Sequence, residues 1–163
     1  MENPITIREA STEHDAAIFW EKLHAYYKRD IFPDTDNEAL HYFLGSSYHD
    51  HIMRLHRRKQ DRCFFLFFYR SGQEIGFAMP VIYHTEDGKC FILEFCVYPA
   101  FRGNGTGKAC ARALLHWARE HGALYAELSH GGSERRRHFW ECVGFVENGA
   151  DEFGQPLMIL PPA

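Results

Sequence analysis

The chain has no long uncharged run. Stretches such as Ile75–Thr85 reach eleven residues, against the ~20 that a membrane-spanning helix needs. Its first residues, Met1-Glu2-Asn3-Pro4, lack the basic-then-apolar pattern of a secretory leader. Excess positive charge is missing too: 18 Lys and Arg against 22 Asp and Glu leave −4 with histidine neutral. A general nucleic-acid binder is normally basic, so no nucleic-acid partner and no membrane partner is expected. The five cysteines, Cys63, Cys90, Cys96, Cys110 and Cys142, are odd in number and have no C-x-x-C spacing. That argues against a disulfide framework and a zinc knuckle, so no metal is expected. Most of them lie in apolar runs, where free cysteine acts as a small hydrophobe. Together with the missing leader, this predicts a reducing, cytoplasmic setting. No repeat and no Pro/Gly/Ser-rich linker is visible, which predicts one domain over residues 1–163.

What is present is ordinary globular composition: 45% hydrophobic, 15% aromatic and 25% charged residues over 163 positions. A fold of this size removes ~70% of its unfolded surface from water, enough for a sizeable core without staples. The 11 histidines are numerous, and their full protonation would move the net charge from −4 to +7. Their ordinary reading is a solvated surface. His49 and His51 stand at i and i+2, which point apart on a helix and make no metal pair.

Ile5–Arg8 is short and β-branched and predicts a first strand. Ser11 or Thr12 offers an N-cap, Glu13 and Asp15 suit a first turn, and Ala16, Phe19, Trp20, Leu23 and Tyr27 follow at helical spacing. Residues 36–59 read as helix in pieces, interrupted near Gly45-Ser46-Ser47. The apolar run Cys63–Tyr69 predicts a strand buried on both faces. Glu74–His84 predicts another, although Pro80 demands an edge, a bulge or a break. Cys90–Tyr98 continues an antiparallel meander. A glycine-rich stretch, residues 99–107, then leads into a helix whose Cys110, Ala113, Leu114, Trp117 and Ala118 share one face. Leu124–Leu128 predicts a strand, Ser133 caps a helix through Cys142, and residues 144–146 and 157–160 predict two closing strands. The order β-α-α-β-β-β-α-β-α-β-β describes an α/β (α+β) domain. Its mixed, twisted sheet has six to seven strands flanked by about four helices.

Strand, glycine turn, helix is an anion-binding arrangement, because the first N–H groups of a helix have no internal partner and its dipole is positive there. Glycines let the backbone approach an anion closely. Arg102 and Lys108 would add full charges. The loop is not a Walker A loop: glycine is required at position 102, where Arg102 stands, and Ser or Thr at 109, where Ala109 stands. It fails as a dinucleotide fingerprint as well, since the last glycine falls on Lys108 or Cys110.

What remains is Arg102-x-x-Gly105-x-Gly107 after a strand ending Val97-x-Pro99. On these residues, with Glu94, the chain resembles the GCN5-related N-acetyltransferase (GNAT) family. Phe139-Trp140-Glu141-Cys142-Val143-Gly144-Phe145 is similar to that family's aromatic C-terminal signature. The resemblance implies a single acetyl-CoA-dependent acetyltransferase domain. Acetyl-CoA would be the co-substrate, held by Phe95, Cys96, Val97, Arg102, Gly103, Asn104, Gly105, Thr106, Gly107, Lys108, Ser133 and Trp140. The N–H groups of residues 103–108 would cradle the pyrophosphate, and the Val97 N–H would be the oxyanion donor.

An amine attacks only when neutral, and a lysine-like amine has a pKa of ~10.4. The resemblance makes Glu94 the candidate base. Set among Phe91, Leu93 and Phe95 it should titrate high; its structural reading is a solvated or networked strand glutamate. Trp140 stands where relatives commonly carry a tyrosine that protonates the leaving thiolate, and indole cannot do so. Tyr98 and Ser133 are the nearest substitutes, although Ser133 also reads as an N-cap. Arg135, Arg136 and Arg137 could approach the adenosine phosphate or form a solvated face.

Asp30, Asp34, Asp36 and Glu38, near Tyr26 and Tyr27, would suit a cationic amine, or are simply solvated. The acceptor is expected to be a small-molecule or peptide amine. A protein N-terminus or lysine is an alternative, as is a non-catalytic acyl-CoA-binding module. A homodimer is possible for such a domain.

Overall fold

The structure, a computed structural model, describes residues 4–162. Seven strands form one sheet in the order β1-β2-β3-β4-β5-β7-β6. They are β1 (Ile5–Glu9), β2 (Leu66–Arg70), β3 (Gln73–Ile82), β4 (Lys89–Val97), β5 (Tyr125–Ser129), β6 (Val146–Ala150) and β7 (Pro156–Leu160). Every neighbouring pair is antiparallel except β4 and β5. Helices α1 (Glu13–Tyr26), α2 (Glu38–Leu44) and α3 (Ser46–His56) pack on one face, and α4 (Thr106–Glu120) and α5 (Glu134–Val143) on the other. This is the expected mixed α/β sheet, with five helices in place of about four. The broken stretch 36–59 divides into α2 and α3 at Gly45. Among the described residues, no helix is long and apolar enough to cross a membrane.

Local chemistry accounts for the element ends. Thr12 caps α1 by accepting the Asp15 N–H (3.0 Å), and Asn37 caps α2 by accepting the Ala39 N–H (2.8 Å). Beyond Tyr26, α1 widens into a π-helical turn, Tyr27–Ile31, whose end is marked by the Phe32 N–H donating to the Tyr27 carbonyl (2.7 Å). That turn delivers Tyr27, Arg29, Asp30 and Ile31 to the edge of β4.

Two strand expectations shift. The run Cys63–Tyr69 does not pair throughout. The Phe64 N–H donates to the Pro80 carbonyl (2.8 Å), but Pro80 has no N–H to return the bond. Pairing there reduces to a single bridge between Cys63 and Val81, and β2 proper begins at Leu66. The closing strand expected at residues 144–146 lies later, at Val146–Ala150, because Gly144, at φ +124°, ends α5.

The third irregularity positions the site. Met79 pairs with Glu94 and Pro80 with Ile92, so Leu93 is the extra residue of a bulge in β4. Cys90 and Ile92 face the α4/α5 side, as do Phe95 and Val97, while Leu93 and Cys96 both face the α1–α3 side. Without the bulge, Glu94 would follow Cys90 and Ile92. With it, Glu94 turns to the α1–α3 face.

Candidate active site

β4 and β5 pair only as far as Ile92 and Leu128. Beyond that point they part, and the end of β4 has a free edge. The Tyr98 N–H donates to Ile75 on β3 (2.9 Å). Alternation along the strand therefore turns the N–H and C=O of Val97 away from β3, into the gap. A cleft of about 350 Å³ opens there. Its walls come from β4 (Phe95, Cys96, Val97), the glycine loop and α4 (Gly103, Gly107), α5 (Arg136, Trp140) and α1 (Tyr26).

The loop has the backbone an anion site requires. Gly103, Asn104 and Gly105 are consecutive residues with φ of +99°, +53° and +76°. A Cβ on Gly103 or Gly105 would meet nothing within 4 Å, so the loop faces open space. Among the described residues, the N–H groups of Gly105, Gly107 and Lys108 have no protein acceptor. Thr106 departs from expectation: its N–H donates to the Gly103 carbonyl (3.1 Å) and its side chain is buried, accepting from Arg70 (3.3 Å). It closes the turn and does not face the cleft.

Arg102 also departs from expectation. Its guanidinium donates to the Val97 carbonyl (2.8 Å) and to Asp30 (2.7 Å), so much of its charge is spent inside the protein. Asp30 is correspondingly not a free carboxylate for a cationic acceptor. Burial works against its charge, but Arg29 and Arg102 outweigh that and hold its pKa below the usual carboxylate range. Asp34 accepts the Asp36 N–H (3.0 Å) in a local turn.

Glu94 does not line the cleft. It interacts with Tyr26, which does line the cleft, and is partly exposed. The Tyr27 hydroxyl donates to its Oε1 (3.2 Å) and itself meets the Tyr48 hydroxyl (3.2 Å). Burial pushes the Glu94 carboxyl up to about 7, opposed by hydrogen bonds from Tyr27 and Tyr26 and by the charge of Arg136. Tyr26 and Arg136 both border the cleft, which links Glu94 to it.

The two expected substitutes for a thiolate acid differ in where they lie. The Tyr98 hydroxyl donates to Glu74 (2.5 Å), away from the cleft, and burial raises its pKa. The Ser133 oxygen accepts the Arg136 N–H (3.2 Å) as the N-cap of α5, although the residue does border the cleft. Trp140 packs against Phe95, Phe139 and Phe145 with ring centroids 4.9–5.3 Å apart. The arginine run divides: Arg135 and Arg136 border the cleft, whereas Arg137 is paired with Glu134 and Glu141 on the outer face. Nothing in the spacing of the residues joins Tyr27 and Tyr48 to Glu94. The only trace in the chain was the Tyr26-Tyr27 pair at the end of a helical pattern.

Residues 17–145 match the family model described as the acetyltransferase (GNAT) family. The chain belongs to that family. This GNAT protein is an acetyl-CoA-dependent N-acetyltransferase. Its fold is similar to the PaiA N-acetyltransferase of Thermoplasma acidophilum in complex with coenzyme A, at 18% identity and a TM-score of 0.72, covering 98% of this chain and 99% of that one. It is also similar to an acetyltransferase of the GNAT family from Desulfovibrio desulfuricans, at 17% identity and TM-score 0.69, covering 98% and 99%. A third likeness is to the ribosomal-protein-S18-alanine N-acetyltransferase of Escherichia coli, at 16% identity and TM-score 0.63, covering 98% and 94%. No curated protein sequence matches the chain. The free N–H groups of the glycine loop and the open edge of β4 fit the acetyl-CoA that the GNAT family uses.

Proposed function

We propose that this GNAT enzyme acetylates a primary amine of a small molecule or peptide by direct attack, with Glu94 as the base. Bound acetyl-CoA supplies the activated acetyl group. The N–H groups of Gly105, Gly107 and Lys108 would hold its pyrophosphate, and the Val97 N–H would donate to the thioester oxygen. Phe95, Cys96 and Trp140 shape the apolar wall beside it.

Glu94 would take the proton of the acceptor ammonium. The observation that carries this reading is a partly exposed carboxyl beside the cleft that accepts the Tyr27 hydroxyl and that burial pushes up to about 7. A base with that pKa is about half deprotonated at neutral pH and still strong enough to accept a proton. The Escherichia coli relative acts on a ribosomal protein's alanine, which favours a protein N-terminus as a second acceptor class.

Glu94→Gln tests the reading. Loss of a general base should cost at least ~10²-fold in kcat/KM. The wild-type rate should rise with pH through about 7, and that dependence should vanish in the variant. Acetyl-CoA affinity measured by calorimetry should stay within about twofold. An unchanged rate in E94Q would remove Glu94 from the mechanism.

A further inference from the structure

Glu94 is not simply buried; it ends a chain of hydroxyls. The Tyr48 hydroxyl on α3 lies 3.2 Å from the Tyr27 hydroxyl, which lies 3.2 Å from Glu94 Oε1. Tyr48 and Tyr27 are 7% and 1% exposed, so water cannot readily replace either contact. A phenol has one proton to give. Tyr27 gives its proton to Glu94, so the donor between the two phenols is Tyr48. Each donation polarises the next hydroxyl and strengthens its bond in a low-dielectric interior.

We propose that Tyr48 is a positioning residue: by donating to Tyr27 it commits the single Tyr27 proton to Glu94 and sets how readily that carboxylate takes up a proton. The proposal rests on Glu94 being the base only for its consequence in turnover; the effect on titration stands without it. Other groups also face Glu94. They are Tyr26 from α1, Tyr27 from the π-helical turn and Arg136 from α5, with Cys96 on the same face of β4. Tyr48 differs from the groups that act on Glu94 directly, because its path runs through Tyr27.

The test is the titration of the Glu94 side-chain carboxyl, followed by carbon NMR on labelled protein without acetyl-CoA. Tyr48→Phe should raise the midpoint by about half a pH unit and Tyr27→Phe by about one, since each removes support from the charged form. In the double variant Tyr48→Phe should add nothing to Tyr27→Phe. A phenol acting through shape or packing would instead shift the two backgrounds equally, or neither, and either result overturns the proposal. Should Tyr48→Phe fail to fold, 3-fluorotyrosine at position 48 keeps the ring and makes the hydroxyl a stronger donor. The midpoint should then fall, and a rise or no change overturns the proposal. Turnover is read separately. If the NMR midpoints move as described but the pH–rate profile does not follow them, Glu94 is not the base, while the role of Tyr48 on its protonation stands.

Discussion

The two faces of the sheet are built from different side chains, and the site uses the difference. The α1–α3 face is aromatic: Phe19, Trp20, Phe65, Phe67 and Phe77 are buried there, with Phe19 stacked on Phe65 at 4.5 Å. The same face supplies Tyr26 and Tyr27, whose hydroxyls moderate the desolvation of Glu94. The α4/α5 face buries fewer rings, Phe64, Phe68, Trp140 and Phe145, and more small residues, among them Ala111, Ala118, Ala126, Cys90 and Cys110. Small residues let α4 approach the sheet and leave its glycine-rich N-terminus as bare backbone. One face therefore supplies a titrating group and the other supplies N–H donors. They meet at the end of β4, where the bulge at Leu93 and the parting from β5 expose both.

The seam between the faces should be the most sensitive point. A Cβ on Gly76 would lie 2.2 Å from the Cys96 carbonyl oxygen and 3.1 Å from the Val97 Cα, both backbone atoms that cannot swing aside. Gly76→Ala should cost roughly 3 kcal/mol or more, read as a lower urea midpoint. A loss below about 1 kcal/mol would mean that β3 and β4 are not held that closely.

On the aromatic face, pH is the lever. The Glu94 pKa is raised in the folded state from the ordinary 4.5 to about 7. The folded protein thus binds more protons than the unfolded chain across that window. Stability from this group is greatest below about 4.5 and falls as pH rises through 7. Glu94→Gln should abolish the fall, making the variant more stable relative to wild type at pH 8 than at pH 5, by up to ~3 kcal/mol. Parallel stability–pH curves would show that Glu94 is not desolvated.

On the bare-backbone face, Gly105→Ala meets no neighbour, so its cost is conformational: about 1–2 kcal/mol for a left-handed residue at φ +76°. The same Cβ would stand in the space over the loop, so acetyl-CoA affinity should fall about tenfold more than stability explains. Reduced stability with unchanged affinity would separate the loop from the cofactor. The smallest effect belongs to Asp30→Asn. Losing a partly buried ion pair with Arg102 should cost about 0.5–1 kcal/mol. Removing its negative charge from the cleft should tighten acetyl-CoA about twofold, most visibly at low salt.

Much of the α4 face was legible in the chain. Gly103, Gly105 and Gly107 ahead of a helix with Cys110, Leu114 and Ala118 on one stripe are local features, set by φ freedom and by 3.6-residue periodicity. The N-cap at Ser133 was legible for the same reason. The aromatic face was not. Tyr27 and Tyr48 are 21 positions apart and Glu94 another 46 beyond Tyr48, and no periodicity records that they meet. Arg102, a cation beside a glycine loop, reads as an anion ligand, and it does border the cleft, but its bond to Asp30 was not legible. Only the π-helical turn brings Asp30 close enough to claim it.

By itself, the order of residues determined most of the strands and helices, the backbone freedom of the glycine loop and the family to which the chain belongs. Each of these is written in neighbours a few positions apart. Tertiary structure alone decided which face Glu94 occupies and what surrounds it. One extra residue in β4 reverses every side chain that follows it, and a carboxyl's protonation depends on the water and dipoles around it, which arrive from α1, α3 and α5.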